Sequence, residues 1–251
     1  MSKFFIKSNQ IENNIIKITG EDVNHIKNVL RLKVDDDIKI CDSETSKNYI
    51  CSITALNSNE IECAILKETE ETVEGNVELE IYQGLPKSDK MELIIQKGTE
   101  LGAAKFIPVN FKRCVVKLSG KDEQKKIERW NKISEVAAKQ CGRDIIPLVD
   151  KINSIKEICN KINDYDLFLV AYEGENQNYI KKELLKIKAP KKDYKIAVVI
   201  GPEGGIDKEE IDILKENGAK IISLGKRILR TETVALQVSS IIMYELENEG
   251  D

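Results

Sequence analysis

From residue 77 to its end, the chain alternates short apolar runs with longer segments whose apolar residues recur at helical spacing. Two of the runs, DLFLVA at 166–171 and KIAVVI at 195–200, are rich in aliphatic residues and show no polar alternation. Strands of that kind are buried on both faces, which requires helices on each side of the sheet. The pattern therefore predicts an α/β fold with a mostly parallel sheet.

The individual elements follow from the same pattern and from residues that start or stop helices. The predicted strands are 77–85, 105–109, 145–149, 166–171, 195–200 and 219–224. The predicted helices lie near 88–102, 121–140, 154–163, 176–188, 208–217 and 231–247. Helix starts are predicted at Ser88, at Thr231 and, as a capping box, at Asp207 with Glu210. Helix ends are predicted at three glycines, Gly102, Gly142 and Gly218.

The first part of the chain, up to about residue 72, has a different pattern of apolar and polar residues. Three runs with partial polar alternation, DIKICD (37–42), KNYICSITAL (47–56) and EIECAILKE (60–68), predict antiparallel strands after one helix near 21–31. They indicate a small β-rich barrel or sandwich. The acidic, turn-rich stretch ETEETVEGN that follows is poor in apolar residues, as domain boundaries are. The predicted domains are 1–72 and 73–251.

Charge and cysteine content exclude several classes of protein. The formal net charge is −4, so a partner RNA has to be bound by a local basic patch rather than by the overall field. The six cysteines never approach CxxC spacing, and the single histidine, His25, rules out a site with several histidine ligands. We therefore expect reduced thiols, no metal site and a cytoplasmic location. We also expect no membrane span, because no apolar run approaches the roughly 20 residues that a span needs.

Two loops that follow predicted strands carry residues suited to ligand binding. In the first, IGPEGGIDKEE (200–210), Gly201, Pro202, Gly204 and Gly205 exceed what a tight turn needs. Glycines let a ligand approach the main chain, whose N–H and C=O groups can pair with the edge of a heterocycle. The loop contains neither a Walker A sequence nor GxGxxG, and a plain turn is the competing interpretation.

The second loop, LGKRILR at 224–230, is basic. It places Lys226, Arg227 and Arg230 between a buried strand and the start of a helix. Arginines there can hold phosphate or carboxylate groups, and a helix N-terminus favours anions. A solvated charged face is the alternative interpretation.

Two other segments carry basic residues near helix ends. Lys87 and Lys90 flank the start of the helix near 88–102, which favours an ordinary exposed helix start over a phosphate site. Gln140 and Arg143 lie near the end of the next helix, where they can act as caps or contact a ligand.

Five segments of the chain, in order, resemble the 16S ribosomal RNA (uracil-N3) methyltransferases of the SPOUT class. They are HIKNVLRLKVDD, LPKSDKMELIIQKGTELG, RWNKISEVAAKQCGR, IGPEGG and LGKRILRTETVA. The resemblance covers nearly the whole chain. It implies a small PUA-like β-barrel at 1–72 and a SPOUT domain at 73–251 whose C-terminal part forms a trefoil knot. It also implies a homodimer with each cofactor pocket close to the dimer interface.

The resemblance further implies a pocket for S-adenosylmethionine. Glycine-rich main chain and aliphatic walls suit adenine, which is flat, apolar on its faces and polar at its edge. The residues expected to bind the cofactor are Tyr172, Glu173, Gly201, Pro202, Glu203, Gly204, Gly205, Ser223, Leu224, Gly225, Ile228 and Leu229.

Methylation at N3 of uridine requires removal of the N3 proton. Arg230 and Glu232 are the predicted catalytic residues, with Arg230 stabilising the uracil anion and Glu232 as base or orienting group. A first-turn carboxylate at Glu232 that only favours the helix dipole is the alternative, and Glu203 is a second candidate base. The target base must be unpaired or flipped out. The residues predicted to contact RNA are Arg31, Lys33, Arg113, Lys117, Arg143 and Arg227.

Three other functions stay open. One is a SPOUT methyltransferase that acts on another ribosomal RNA or transfer RNA position. Another is a non-catalytic RNA-binding protein of ribosome assembly, which the intact GPEGG and RILRTET segments disfavour. The third is a nucleotide-binding α/β enzyme of a different type, which the missing phosphate-binding sequences disfavour.

Overall fold

The computed structural model describes residues 3–187 and 193–247, which form two compact units. The first contains Met1–Glu74 together with Ala138–Ile146, and the second contains Gly75–Ala137 together with Pro147–Asp251. The predicted domain ranges were contiguous and did not include the return of 138–146 to the first unit.

The first unit is built on a six-stranded sheet with the order β1-β4-β5-β6-β3-β2. Its strands are β1 Lys3–Ile6, β2 Ile11–Glu12, β3 Ile15–Thr19, β4 Asp37–Asp42, β5 Asn48–Leu56 and β6 Glu60–Thr69. The three predicted strands are confirmed as β4, β5 and β6, and their mutual pairing is antiparallel. The pairing of β1 with β4 is parallel. The predicted first helix is a short α1, Glu21–Asn24, that continues into a π-helical turn, His25–Val29.

Alternate residues of these strands fill a separate apolar core. Ile38 and Ile40 on β4 and Ile16 on β3 are fully buried, as the two-residue period of a strand requires. Beside this core, Asp144 from the returning segment accepts hydrogen bonds from Lys3, from Thr72 Oγ1 at 2.8 Å and from the Val73 N–H at 2.8 Å.

The second unit contains a six-stranded sheet with the order β12-β10-β11-β7-β8-β9. Its strands are β7 Val77–Gly84, β8 Ala103–Val109, β9 Leu148–Val149, β10 Leu167–Ala171, β11 Tyr194–Ile200 and β12 Lys220–Ile222. Every pairing in the sheet is parallel, which confirms the predicted architecture. The run 196–200 on β11 is at most 1% exposed, because neighbouring strands and helices cover both faces.

The helices are α2 Lys90–Glu100, α3 Gly120–Cys141, α4 Ile155–Cys159, α5 Ile180–Ile187, α6 Lys208–Glu216 and α7 Thr231–Leu246. The Asp207–Glu210 capping box of α6 is confirmed. The predicted glycine ends are also confirmed, with positive φ angles at Gly102, Gly142 and Gly218. In the described part of the chain, no helix is both long enough and apolar enough to cross a membrane.

Two predicted helix caps and one predicted strand are wrong. Ser88 has a φ of 58° and lies one residue before the N-cap position, Asp89, so it does not cap the helix. Thr231 is the first helical residue rather than the cap, and its hydroxyl bonds elsewhere. The strand predicted at 145–149 is only Leu148–Val149, because Pro147 cannot donate a ladder hydrogen bond.

Candidate functional site

A cavity of about 500 Å³ opens in the second unit at the carboxyl edge of its sheet. It is formed by the loops that follow β10, β11 and β12, together with the first residues of α2 and α7. Because all these strands are parallel, their carboxyl ends lie at one edge, where α/β sheets bind their ligands. The cavity has the size of a small-molecule site.

Most residues predicted to bind a cofactor line this cavity. They are Tyr172, Glu173, Gly201, Pro202, Glu203, Gly205, Ser223, Leu224, Gly225, Ile228 and Leu229. Gly204 is the exception, since a Cβ atom on it would lie 3.1 Å from the carbonyl oxygen of Arg113 rather than in the cavity. Gly204 therefore packs the loop against the main chain of residue 113.

The glycines of the loop after β11 are required by close contacts. Gly205 has a φ of 71°, and a Cβ atom on it would lie 2.5 Å from Glu173 Oε1. The Gly205 N–H donates to the Pro202 carbonyl at 2.9 Å, which closes the turn. At the end of β7, a Cβ atom on Gly84 would lie 2.6 Å from Pro202 Cδ. The loop is thus held tightly on both sides, and a bulkier residue would displace it.

A buried hydrogen-bonded chain ties this loop to the start of α7. Gln83, at the end of β7, is fully buried and donates from Nε2 to Thr231 Oγ1 at 2.8 Å. Thr231 Oγ1 donates in turn to the carbonyl oxygen of Gly201 at 2.7 Å. The chain fixes two walls of the cavity relative to each other, and sequence analysis did not identify it.

Lys90, the first residue of α2, connects two acidic side chains at the cavity. Its Nζ lies 2.9 Å from Glu203 Oε1 and 3.5 Å from Glu232 Oε2. The hydrogen bond to Glu203 raises the pKa of Lys90, so the ammonium stays charged. Burial acts to raise the pKa of Glu203, but hydrogen bonds from Lys90 and the main chain outweigh it and lower that pKa. The sequence favoured an ordinary helix start here, whereas Lys90 lines the cavity.

The two predicted catalytic residues adjoin the cavity at the start of α7. Arg230 lines it directly. Glu232 is not among the lining residues; it lies in the first helical turn with its side chain 14% exposed and reaches the cavity only through its contact with Lys90. Its Oε2 is buried and accepts no hydrogen bond from the residues that the structure describes. The Lys90 ammonium at 3.5 Å balances the charge of this oxygen, so its acceptor capacity becomes available to a ligand only when the ion pair is parted.

The residues predicted to contact RNA are found in different surroundings. Arg31 and Lys33 are exposed in the first unit, and Arg227 lines the cavity. Arg113 is half-exposed and bonds Asp207 at 3.0 Å, while Lys117 donates to Asn110 Oδ1 at 2.7 Å.

Arg143 does not fit its predicted RNA contact. It is 7% exposed, and its guanidinium bonds the carboxylate of Glu74 within the first unit. An RNA phosphate needs an accessible cation, and breaking such a buried pair is costly. We therefore assign Arg143 to the packing of the first unit.

The chemistry of the cavity is divided between its walls. Leu224, Leu229 and Val234 supply aliphatic surface, and the glycine loop supplies main-chain groups. Cationic side chains come from Lys226, Arg227 and Arg230, and carboxylates from Glu173 and Glu203. Such a site can hold a flat heterocycle between apolar walls and a charged group beside it.

Family models match both units of the chain. The model described as an RNA methyltransferase domain matches residues 73–243, and the model described as an RNA methyltransferase PUA domain matches residues 18–66. The first match covers well over half of the chain.

Individual relatives agree with these matches. The Ribosomal RNA small subunit methyltransferase E of Bacillus subtilis is 39% identical over 98% of each chain. The structure of the protein of that name from Neisseria gonorrhoeae, bound to S-adenosyl methionine, has a TM-score of 0.86 at 26% identity over 100% of both chains. A putative methyltransferase from Legionella pneumophila with bound SAM has a TM-score of 0.84 at 26% identity over 96% of both chains. The chain therefore belongs to the Ribosomal RNA small subunit methyltransferase E family of RNA methyltransferases.

Proposed function

We propose that this chain transfers a methyl group from S-adenosylmethionine to N3 of a uridine in the RNA of the small ribosomal subunit. The observation that carries the proposal is the cavity of about 500 Å³ at the carboxyl edge of the parallel sheet. Two relatives of the same fold are described as bound to that cofactor. The resemblance of the five sequence segments to uracil-N3 methyltransferases supports the choice of base and atom.

The residues of the cavity fit S-adenosylmethionine. Leu224 and Leu229 offer aliphatic walls to adenine, and Gly201 and Gly205 line the cavity without a Cβ atom to keep a ligand from the main chain. Tyr172, Glu173 and the loop 223–225 complete the proposed cofactor site. When bound, the cofactor supplies an electrophilic methyl carbon, and the protein supplies orientation and proton removal.

Glu232 is the proton acceptor in this proposal. The Watson–Crick edge of uracil has a single hydrogen-bond donor, N3–H, and Glu232 Oε2 is a buried acceptor with no hydrogen bond from the described residues. Glu203 is less suited, because its carboxylate already accepts from Lys90 and from the Lys87 N–H at 3.0 Å. Arg230 stabilises the charge that develops on the uracil oxygens.

RNA binding is assigned to accessible cations in both units. Arg31 and Lys33 represent the proposed RNA-binding domain 1–72, and Arg113, Lys117 and Arg227 represent the methyltransferase domain 73–251. Contacts of this kind with phosphates release counterions, so binding should weaken steeply with salt. The location is expected to be cytoplasmic, where ribosomal subunits and reduced thiols occur together.

We also infer that the C-terminal part of the second unit forms a trefoil knot and that the protein is a homodimer. The family resemblance supports both inferences. Exposed apolar side chains on the second unit, including Tyr244 at 75% exposure, also support a partner surface. Light scattering should give the mass of a dimer, and a monomer at micromolar concentration would refute that inference.

The test uses small ribosomal subunits that lack the modification. Purified protein and cofactor are incubated with the subunits, and the RNA is digested for nucleoside mass spectrometry. We expect 3-methyluridine. A different methylated nucleoside would select another SPOUT specificity. No product, with no heat of cofactor binding by calorimetry, would indicate a non-catalytic RNA-binding protein.

The Glu232→Gln variant tests the proton acceptor in the same assay. Turnover should fall about 100-fold or more, because general-base catalysis contributes 10²–10⁴-fold. Cofactor affinity measured by calorimetry should stay near the wild-type value. Equal losses in turnover and affinity would reassign Glu232 to the cofactor site.

A further inference from the structure

We propose that Lys90 is a catalytic residue that hydrogen-bonds a carbonyl oxygen of the target uracil and stabilises its anion. The inference rests on the proposed function and adds to it a group that sequence analysis treated as an ordinary surface lysine. Lys90 lies on the cavity wall, and the buried Oε2 of Glu232 lies 3.5 Å from its ammonium. In this inference the base parts this ion pair, so that its Watson–Crick edge meets one donor from Lys90 and one acceptor from Glu232.

The position of Lys90 is fixed by its surroundings. It begins α2 and lines the cavity with its side chain 27% exposed. Glu203 holds the ammonium at 2.9 Å and is itself anchored by the main-chain N–H of Lys87 at 3.0 Å. A lysine held in this way loses less conformational entropy when it contacts a substrate than a mobile one does.

The contact between Lys90 and Glu232 is incomplete. Nζ and Oε2 are 3.5 Å apart, an ion-pair distance, and Oε2 accepts no hydrogen bond within the described residues. An ammonium group has three donors, and Glu203 uses one of them. A base that parts Lys90 from Glu232 can therefore accept a hydrogen bond from the ammonium without breaking the Lys90–Glu203 bond.

The edge of uracil matches this arrangement. Its N3–H donor lies between two carbonyl acceptors, so N3–H can donate to Glu232 while a neighbouring oxygen accepts from Lys90. When the N3–H bond breaks, the proton passes to the Glu232 carboxylate and the electron pair stays on N3 and the two oxygens. The ammonium then faces the oxygen that gains charge, which stabilises the transition state more than the ground state.

The same pair should discriminate against cytosine. Cytosine has no N3–H to donate to Glu232, and its exocyclic amine is a donor where uracil has an oxygen. With Lys90 at the position of O4, that amine places two donors opposite each other, and with Lys90 at either oxygen the N3 of cytosine offers the carboxylate no donor. Mismatches of this type are rejected strongly, because buried polar groups are left unpaired.

The test compares Lys90→Met with Lys90→Arg and with Lys97→Met as the control. Lys97 lies on the same helix and pairs with Glu100, and it does not line the cavity. Rates of 3-methyluridine formation on unmodified small subunits are measured at saturating cofactor across the neutral to alkaline range. Cofactor affinity and thermal unfolding are measured in parallel.

We expect Lys90→Met to lower kcat about 100-fold at neutral pH, as removal of an oxyanion donor does. The loss should shrink as the pH rises, because uracil that has already lost its N3 proton needs less help. Lys90→Arg should recover part of kcat, and Lys97→Met should behave as wild type. Cofactor affinity should change less than about threefold in all three variants, which is under 1 kcal/mol.

A second substrate distinguishes stabilisation of the uracil anion by Lys90 from a purely structural role of this residue. Subunits reconstituted with RNA that contains 5-fluorouridine carry a more acidic N3–H, so the defect of Lys90→Met should be smaller on them. A defect that is equal on both substrates and at every pH would overturn the inference, as would wild-type turnover of Lys90→Met. If wild-type protein forms no 3-methyluridine, the proposed function fails and the inference falls with it. If the wild-type protein forms 3-methyluridine but Lys90→Met does not show the expected defect, only the inference about Lys90 is refuted and the proposed function stands.

Discussion

The hydroxyl of Thr231 is the link that we expect to matter most for the shape of the cavity. It accepts a hydrogen bond from Gln83 at 2.8 Å and donates one to the Gly201 carbonyl at 2.7 Å. Thr231→Val removes the hydroxyl and keeps nearly the same volume. Thr231 is only 6% exposed and Gln83 is fully buried, so water has little access to the Gln83 amide, whereas the Gly201 carbonyl borders the cavity.

The cost of this substitution can be worked from the two bonds. The Gly201 carbonyl loses the bond from the hydroxyl; a buried group left without its partner costs about 1–3 kcal/mol, and a half-buried group on the cavity wall lies toward the low end of that range. Gln83 Nε2 keeps its bond to the Gly84 carbonyl at 2.9 Å, so its loss is partial. A total of about 2 kcal/mol corresponds to a fall in melting temperature of roughly 4–8 °C for a chain of this size. Because the link joins two cavity walls, cofactor affinity should fall about tenfold, or 1.4 kcal/mol.

Differential scanning calorimetry measures the melting temperature, and isothermal titration calorimetry with S-adenosylmethionine measures the cofactor affinity. Thr231→Ser keeps the hydroxyl, so its melting temperature and cofactor affinity should stay close to those of the wild type. Ser240→Ala is the matched control on α7, since its hydroxyl bonds only the Leu236 carbonyl on the exposed face of the helix. If Thr231→Val melts and binds cofactor like Ser240→Ala, the hydroxyl does not hold the two walls together.

Three further predictions address the glycine loop, RNA binding and the first unit. Gly205→Ala should weaken cofactor binding measured by calorimetry more than Gly225→Ala does. Both glycines have positive φ, but a Cβ atom meets Glu173 only at Gly205 and nothing within 4 Å at Gly225. Arg227→Ala should weaken binding of subunits and reduce the slope of log K against log salt by about 0.7–0.9, the value for one phosphate contact; an unchanged slope would remove Arg227 from the RNA interface. Asp144→Asn should lower stability by about 3–5 kcal/mol at neutral pH, because it leaves Lys3 buried without its counter-charge. Burial opposes ionisation of Asp144, but the hydrogen bonds from Lys3, Val73 and Thr72 and the charge of Lys3 together outweigh it and lower the carboxyl pKa from 3.8. The stabilisation is therefore present above pH 3.8 and disappears as the pH falls through the lowered pKa, so urea melts of variant and wild type should converge in acid.

The parallel sheet could be predicted because its strands are short, fully buried and rich in branched residues. The first three strands were missed because β1, β2 and β3 contain two to five residues, too few for a period to emerge. Ser88 looked like a cap, but the turn before α2 puts it at positive φ. The backbone conformation at Ser88 depends on packing against residues that are distant in sequence, so local sequence alone does not determine it.

The cavity walls were predictable and their connections were not. Glycine and aliphatic content identified the loops after β11 and β12, and strand direction brought them to one edge of the sheet. The bonds of Lys90 to Glu203 and of Thr231 to Gly201 join residues 113 and 30 positions apart, and no local pattern encodes them. The RNA contact predicted for Arg143 does not fit the structure for the same reason, because its ion-pair partner Glu74 lies 69 positions away in the sequence.

The return of residues 138–146 to the first unit affects how this protein can be divided. A fragment that ends near residue 74 would keep Lys3 and Thr72 but lack Asp144, which bonds both side chains. The chain passes from one unit to the other at three places, so a single junction cannot separate an RNA-binding cassette for transplantation. Recombination that exchanged such a cassette between relatives would have to carry the 138–146 segment with it.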